Sequence, residues 1–137
     1  MGNPVKVLAV DDEKDVLFIV SAALKAEGYS VATASNGFEA LEQASKECPD
    51  IIVLDVMMPK MDGFETLVKL REMDATRNVP VVMLTGLSER DKKLDAIDHG
   101  VQHYIVKPFE VHDLIAKLQN ALAESKRAEE ELPDFDE

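Results

Sequence analysis

A single cysteine, Cys48, stands in the whole chain, so no intramolecular disulfide can form. Its place in "KECPD", at the expected end of a helix, assigns it a packing role as an inert thiol. Long apolar runs are missing as well: none approaches the ~20 residues that a membrane helix requires, so no membrane partner is expected. The opening "MGNPVKVLAVDDE" lacks the charged, apolar and small-residue sections of a signal peptide. It also carries Lys6 where a myristoylation pattern begun at Gly2 wants a hydroxyl residue. The expected location is cytoplasmic. Basic side chains are scarce, with 15 Lys and Arg against 27 Asp and Glu and a net charge of −12. Proteins hold nucleic acid by displacing counterions from its phosphates with Lys and Arg. No basic stripe offsets the deficit here, which argues against direct nucleic-acid binding.

What is present is an ordinary globular composition, 46% hydrophobic and 31% charged over 137 residues. That length makes one domain able to bury roughly two-thirds of its unfolded surface. Strand-length apolar runs recur at "VKVLAV" 5–10, "SVATAS" 30–35, "IIVLD" 51–55, "VPVVMLT" 79–85 and "HYIVK" 103–107. Between them, apolar residues fall at helical spacing: Val16, Ile19, Val20, Ala23 and Leu24, then Phe38, Leu41 and Ala44, then Phe64, Leu67 and Leu70. Gly28, Gly37, Gly63 and Gly100 fall at the junctions, with Pro49, Pro80 and Pro108 beside strand starts or ends. Five strands alternating with five helices predict a doubly wound α/β domain with a parallel sheet, since parallel neighbours need crossover connections.

In such sheets ligands gather beyond the carboxyl ends of the strands. The residues there are Asp11 and Asp12, Asp55, Thr85 and Lys107. Asp55 ends the run Ile51-Ile52-Val53-Leu54, which reads as a strand buried on both faces, and an ionised aspartate there is costly without a partner. Three carboxylates converging on one edge repel one another unless a cation sits among them. Magnesium is the natural choice, because it takes oxygen ligands, keeps several waters and accepts phosphate oxygens. Lys107 and Thr85 then supply a point cation and a hydroxyl donor for an anion carried by Asp55. On this reading Asp55 is placed to be phosphorylated.

The motifs "VDDE", "LDVMMPKMDG", "MLTG" and "YIVKPF", in order at the ends of four strands, resemble the receiver domain of bacterial two-component response regulators. The resemblance covers about Val5 to Ala123. It implies a five-stranded parallel sheet in the order 2-1-3-4-5, the flavodoxin-like or CheY-like (βα)5 arrangement. It further implies that Asp55 is the phosphoacceptor, taking a phosphoryl group from a sensor histidine kinase or phosphotransfer protein as other carboxylate nucleophiles do. Asp12 is then expected to bind Mg2+ directly, Asp11 through water, and Met57 by its backbone carbonyl, with Asp55 itself in the metal shell and Lys107 on a phosphate oxygen. Thr85 and Tyr104 resemble the family's switch pair, whose rearrangement changes the output surface over the fourth helix, fifth strand and fifth helix. The implied protein is a switch that assists its own phosphorylation and dephosphorylation, not a metabolic enzyme, and its output goes to an effector protein or effector domain. A phosphorylation-dependent dimer belongs to the family's repertoire. However, His103-Tyr104 replaces the Asp-Tyr of the DNA-binding branch, and the last helix lacks that branch's arginine-rich end.

Rival readings attach to each residue. Asp12 suits a helix cap before Glu13. Thr85 suits a helix entry, Lys107 a solvated charge and Tyr104 rim packing. Met57, Met58 and Met61 read as gap-filling core residues. His99, His103 and His112 lack the spacing of a zinc site and are assigned no function. A haloacid dehalogenase-type phosphohydrolase needs a carboxylate two residues after its nucleophile, where this chain has Met57. A flavodoxin needs a first loop that welcomes an anionic phosphate, where this chain has Asp11, Asp12 and Glu13. Residues 1–123 are taken as the receiver. Residues 124–137 are taken as a charged helix extension and tail, with the helix running to about Leu132 before Pro133 ends it.

Overall fold

The computed structural model describes residues 3–86, 101 and 103–131. Five strands, β1 (Lys6–Val10), β2 (Ser30–Ala34), β3 (Ile51–Asp55), β4 (Val81–Thr85) and β5 (His103–Val106), pair in parallel in the order β2-β1-β3-β4-β5. Three helices, α1 (Lys14–Ala26), α2 (Gly37–Lys46) and α3 (Gly63–Glu72), connect the first four strands, and a last helix spans Val111–Glu131. The sheet order agrees with the one the resemblance implied. The expected fourth helix falls on residues 87–100, outside the described residues.

Strand side chains alternate between two cores. Val7, Ala9, Ile51, Val53, Val82 and Leu84 join Val20 and Leu24 of α1 and Leu114, Leu118 and Ala121 of the last helix on one face. Leu8, Val10, Ile52, Leu54, Val81 and Met83 join Ala40 and Ala44 of α2 and Phe64, Leu67 and Leu70 of α3 on the other. Covering both faces explains why β3 and β4 are buried at every position and carry unbroken apolar runs. Of the apolar residues at helical spacing, Phe64, Leu67 and Leu70 are buried, but two others are not. Ile19 and Phe38 are exposed, at 52% and 57%, because Leu17 and Ala40 occupy the inward positions of their helices.

The expected methionine packing is also only part right: Met58 and Met61 are buried, while Met57 is 55% exposed. In the loop after β3 the chain turns Val56 and Met58 inward and leaves the residue between them facing out. Cys48 is exposed rather than packed, and its Sγ donates to the Ala75 carbonyl at 3.0 Å.

Helix ends follow local chemistry. Asn36 Oδ1 accepts from the Glu39 N–H while Glu39 reaches back to Ser35 N–H, a reciprocal cap for α2. Asp62 caps α3 through the Glu65 N–H. Gly28 ends α1 at φ 95°, a conformation that glycine adopts without Cβ strain.

Gly63 has another reason to be glycine. Its N–H donates to the Val56 carbonyl at 2.7 Å, and a Cβ there would collide with the Asp55 carbonyl oxygen. The start of α3 is thus pressed onto the strand end that carries Asp55. Gly63→Ala forces that contact apart and is expected to destabilise the protein by about 1–3 kcal/mol, the usual range for overpacking. Urea denaturation with an unchanged m-value checks it.

Candidate functional site

The parallel register delivers four strand ends to one edge. The Asp11 N–H donates to the Ala34 carbonyl at 3.1 Å, carrying the β1–β2 ladder one residue past Val10. Asp55 lies opposite Leu84, and Thr85 opposite Val106. The Lys107 N–H closes the last rung on the Thr85 carbonyl at 2.6 Å. Asp11, Asp55 and Thr85 are buried at this edge and Asp12 is exposed.

Carboxylate oxygens of Asp11, Asp12 and Asp55 lie within 4.8 Å of one another. Among the described residues, one cation faces them. Lys107 Nζ is 2.8 Å from Asp11 Oδ2, 3.2 Å from Glu13 Oε1 and 3.3 Å from Asp55 Oδ1. Burial and then the charge of Asp11 push the Asp55 carboxyl up to about 7, Asp12 adds to the rise, and Lys107 opposes it. Burial alone would lower Lys107, but its hydrogen bond to Asp11 and the charges of Asp55 and Asp11 outweigh that and leave it raised. A single ammonium does not neutralise three carboxylates. A hard cation with oxygen ligands fits this donor set, as does an anion held on Asp55 beside Lys107.

The rival cap role for Asp12 fails in the fold. The N-cap of α1 is Glu13, whose own side chain makes no cap hydrogen bond. Asp11 instead accepts from the Glu13 N–H through Oδ1 at 2.9 Å. Thr85 is not merely a strand-end residue either: its Oγ1 is buried and has no hydrogen-bond partner among the described residues.

Tyr104 sits opposite Met83, half-buried against the α2–α3 core, one pleat inward from the edge. Strand alternation puts it on the same face of the sheet as Thr85. Met57 lies in the loop two residues past Asp55 with its side chain largely in solvent. The sequence reading assigned no role to Glu13 as a Lys107 partner, although the third acid of "VDDE" was its visible trace. It also treated Gly63 as a plain junction, although the Asp-Gly step signalled a tight approach.

Residues 7–119 match the model of the response regulator receiver domain family. The chain belongs to that family. It is 43% identical over 117 residues to the probable transcriptional regulator ycf27 of Pyropia yezoensis, covering 85% of this chain and 47% of the relative. The alkaline phosphatase synthesis transcriptional regulatory protein PhoP of Bacillus subtilis is 40% identical over 123 residues, covering 90% of this chain and 50% of the relative. The chain thus spans about half the length of these curated relatives. Among solved structures, the chemotaxis protein CheY4 of Vibrio cholerae superposes with a TM-score of 0.82 at 39% identity, covering 86% of this chain and 98% of that one. The expected family and fold are therefore right, and the chain is a receiver domain of two-component signalling. No helix among the described residues is long and apolar enough to cross a membrane.

The raised Asp55 carboxyl has a measurable consequence in metal-free buffer. Between its ordinary value of 3.8 and about 7 the folded protein holds a proton that the unfolded chain has released. Stability therefore falls as pH rises through that window and levels off above it. Asp55→Asn is expected to flatten the fall and to leave the protein more stable than the parent at pH 8, read by chemical denaturation across the pH series.

Proposed function

We propose that the chain is a phosphorylation-dependent signalling switch in which Asp55 accepts a phosphoryl group from a phosphohistidine on a sensor histidine kinase or phosphotransfer protein. The observation that carries this reading is the buried Asp55 carboxylate at the sheet's carboxyl edge, clustered with Asp11 and Asp12 and 3.3 Å from Lys107. An Asp55 oxygen attacks phosphorus as the phosphorus–nitrogen bond breaks, the bond's electron pair returns to the imidazole, and an acyl phosphate forms. Asp11, Asp12, Asp55 and the Met57 carbonyl would hold Mg2+, which supplies neutralisation of charge on the transferred group. Lys107 pairs with a phosphoryl oxygen, trading a carboxylate partner for it.

Thr85 completes the site. Its unpartnered hydroxyl donates to the phosphoryl group, and Tyr104, on the same face one strand over, responds to that movement. The phosphoryl group thereby favours one of two conformations, and the surface around the fourth helix, β5 and the last helix changes with it. The output goes to an effector protein or an effector domain in the cytoplasm.

Given magnesium and acetyl phosphate, the protein is expected to gain one hydroxylamine-labile phosphoryl group. Intact-mass analysis should find it on the parent and not on Asp55→Asn. An Asp55→Asn protein that gains the same mass as readily would move the nucleophile elsewhere.

Magnesium itself is expected to raise the melting temperature, since it binds the folded carboxylate cluster and relieves repulsion that the unfolded chain does not concentrate. In Asp12→Ala that rise should largely disappear. Thermal unfolding with and without the metal checks it, and an undiminished rise in the variant would place the metal away from Asp12.

A further inference from the structure

We propose that Glu13 is a positioning residue that holds the Lys107 ammonium toward the mouth of the site, so that an incoming phosphoryl group must displace this carboxylate to gain Lys107. The proposal rests on the reading of Asp55 as phosphoacceptor. Glu13 begins α1 as its N-cap yet leaves its side chain out of capping. Its backbone is pinned instead by Asp11, which accepts the Glu13 N–H on Oδ1 at 2.9 Å. Asp11 Oδ2 accepts from Lys107 Nζ at 2.8 Å. One buried carboxylate thus fixes both the backbone of Glu13 and the ammonium that Glu13 contacts, and Glu13 Oε1 closes the triangle at 3.2 Å.

The distances rank the three acceptors around Lys107. Asp11 is nearest at 2.8 Å, Glu13 follows at 3.2 Å, and Asp55 at 3.3 Å is the farthest. The ammonium donates hydrogen bonds to Asp11 and Glu13 and pairs with Asp55 at 3.3 Å, so carboxylates surround it before any phosphoryl group arrives. Asp11 and Asp55 are buried, and losing either contact strands a desolvated charge. Glu13 is 61% exposed at its side chain, so water can replace the ammonium there at small cost. Of the three partners, Glu13 is the one that yields. Its charge also sits at the entrance, where it repels an anionic donor.

Removing the charge while keeping the shape leaves a neutral amide in place of that carboxylate, which a phosphoryl oxygen displaces from Lys107 more easily. Glu13→Gln is expected to lower the KM for acetyl phosphate by roughly two- to fivefold, the range of one partly exposed ion pair, with the maximal rate of Asp55 phosphorylation changed less. Asp15→Asn is the control. Asp15 carries the same charge in the first turn of α1 and makes no ion pair with Lys107 among the described residues. A KM lowered equally by Asp15→Asn would assign the effect to bulk charge and overturn the proposal, as would an unchanged KM in Glu13→Gln.

A second readout needs neither metal nor phosphoryl group. The 15N and 1H resonances of the Lys107 ammonium, measured in the unphosphorylated metal-free protein, are expected to shift in Glu13→Gln and to stay in place in Asp15→Asn. Unmoved resonances in Glu13→Gln would show that no such pair exists. If Asp55 in the parent takes no phosphoryl group while these resonances shift, the pairing stands and the phosphoacceptor reading is what fails.

Discussion

Everything at this site turns on one ammonium facing too many carboxylates. Lys107 Nζ reaches Asp11, Glu13 and Asp55, while Asp12 adds its charge from the open side. Burial sharpens the imbalance, since water that would screen Asp11 and Asp55 is excluded. Burial first, and then the surplus negative charge, raises Asp55, and the cluster is left in need of a cation. The same surplus would repel an anion were Lys107 not present. A site in this condition responds strongly to small changes of charge, which is what a signalling domain requires.

The scaffold makes that condition affordable. Two apolar cores sandwich the sheet, so the strands are held from both faces and their ends cannot splay apart to relieve repulsion. Neighbouring parallel strands lie about 4.7–4.9 Å apart, which sets how close Asp55 and Thr85 must come once their registers are fixed. Gly63 presses the start of α3 against the Asp55 carbonyl and closes the loop from behind. The polar edge is strained electrostatically because the apolar interior beneath it is not free to move.

Much of this was legible in the residues. Apolar runs of strand length, alternating with helical spacing, determine a parallel α/β sheet, because a chain can bury runs like Ile51–Leu54 on both faces only between helical layers. The four motifs at strand ends carried the family. The misreadings share a cause. Ile19 and Phe38 fit the helical spacing yet are exposed, because which turn of an amphipathic helix meets the sheet is set by how the helix sits on the strands beneath it. Met57 was read as core and Cys48 as packed for the same reason, since a loop's inward and outward positions are set by its closure on neighbouring elements.

The sequence by itself therefore determined the fold class, the family and the list of polar residues at the strand ends, since those depend on local pattern and on order along the chain. Only the tertiary structure decided which of these residues meet, at what distance and how deeply buried. Asp11 and Lys107 lie 96 positions apart in the chain, yet 2.8 Å apart in space. Glu13 meets Lys107 at 3.2 Å, and Asp11 contacts both of them. Such contacts depend on register and burial, and those are properties of the packed sheet that no single segment contains.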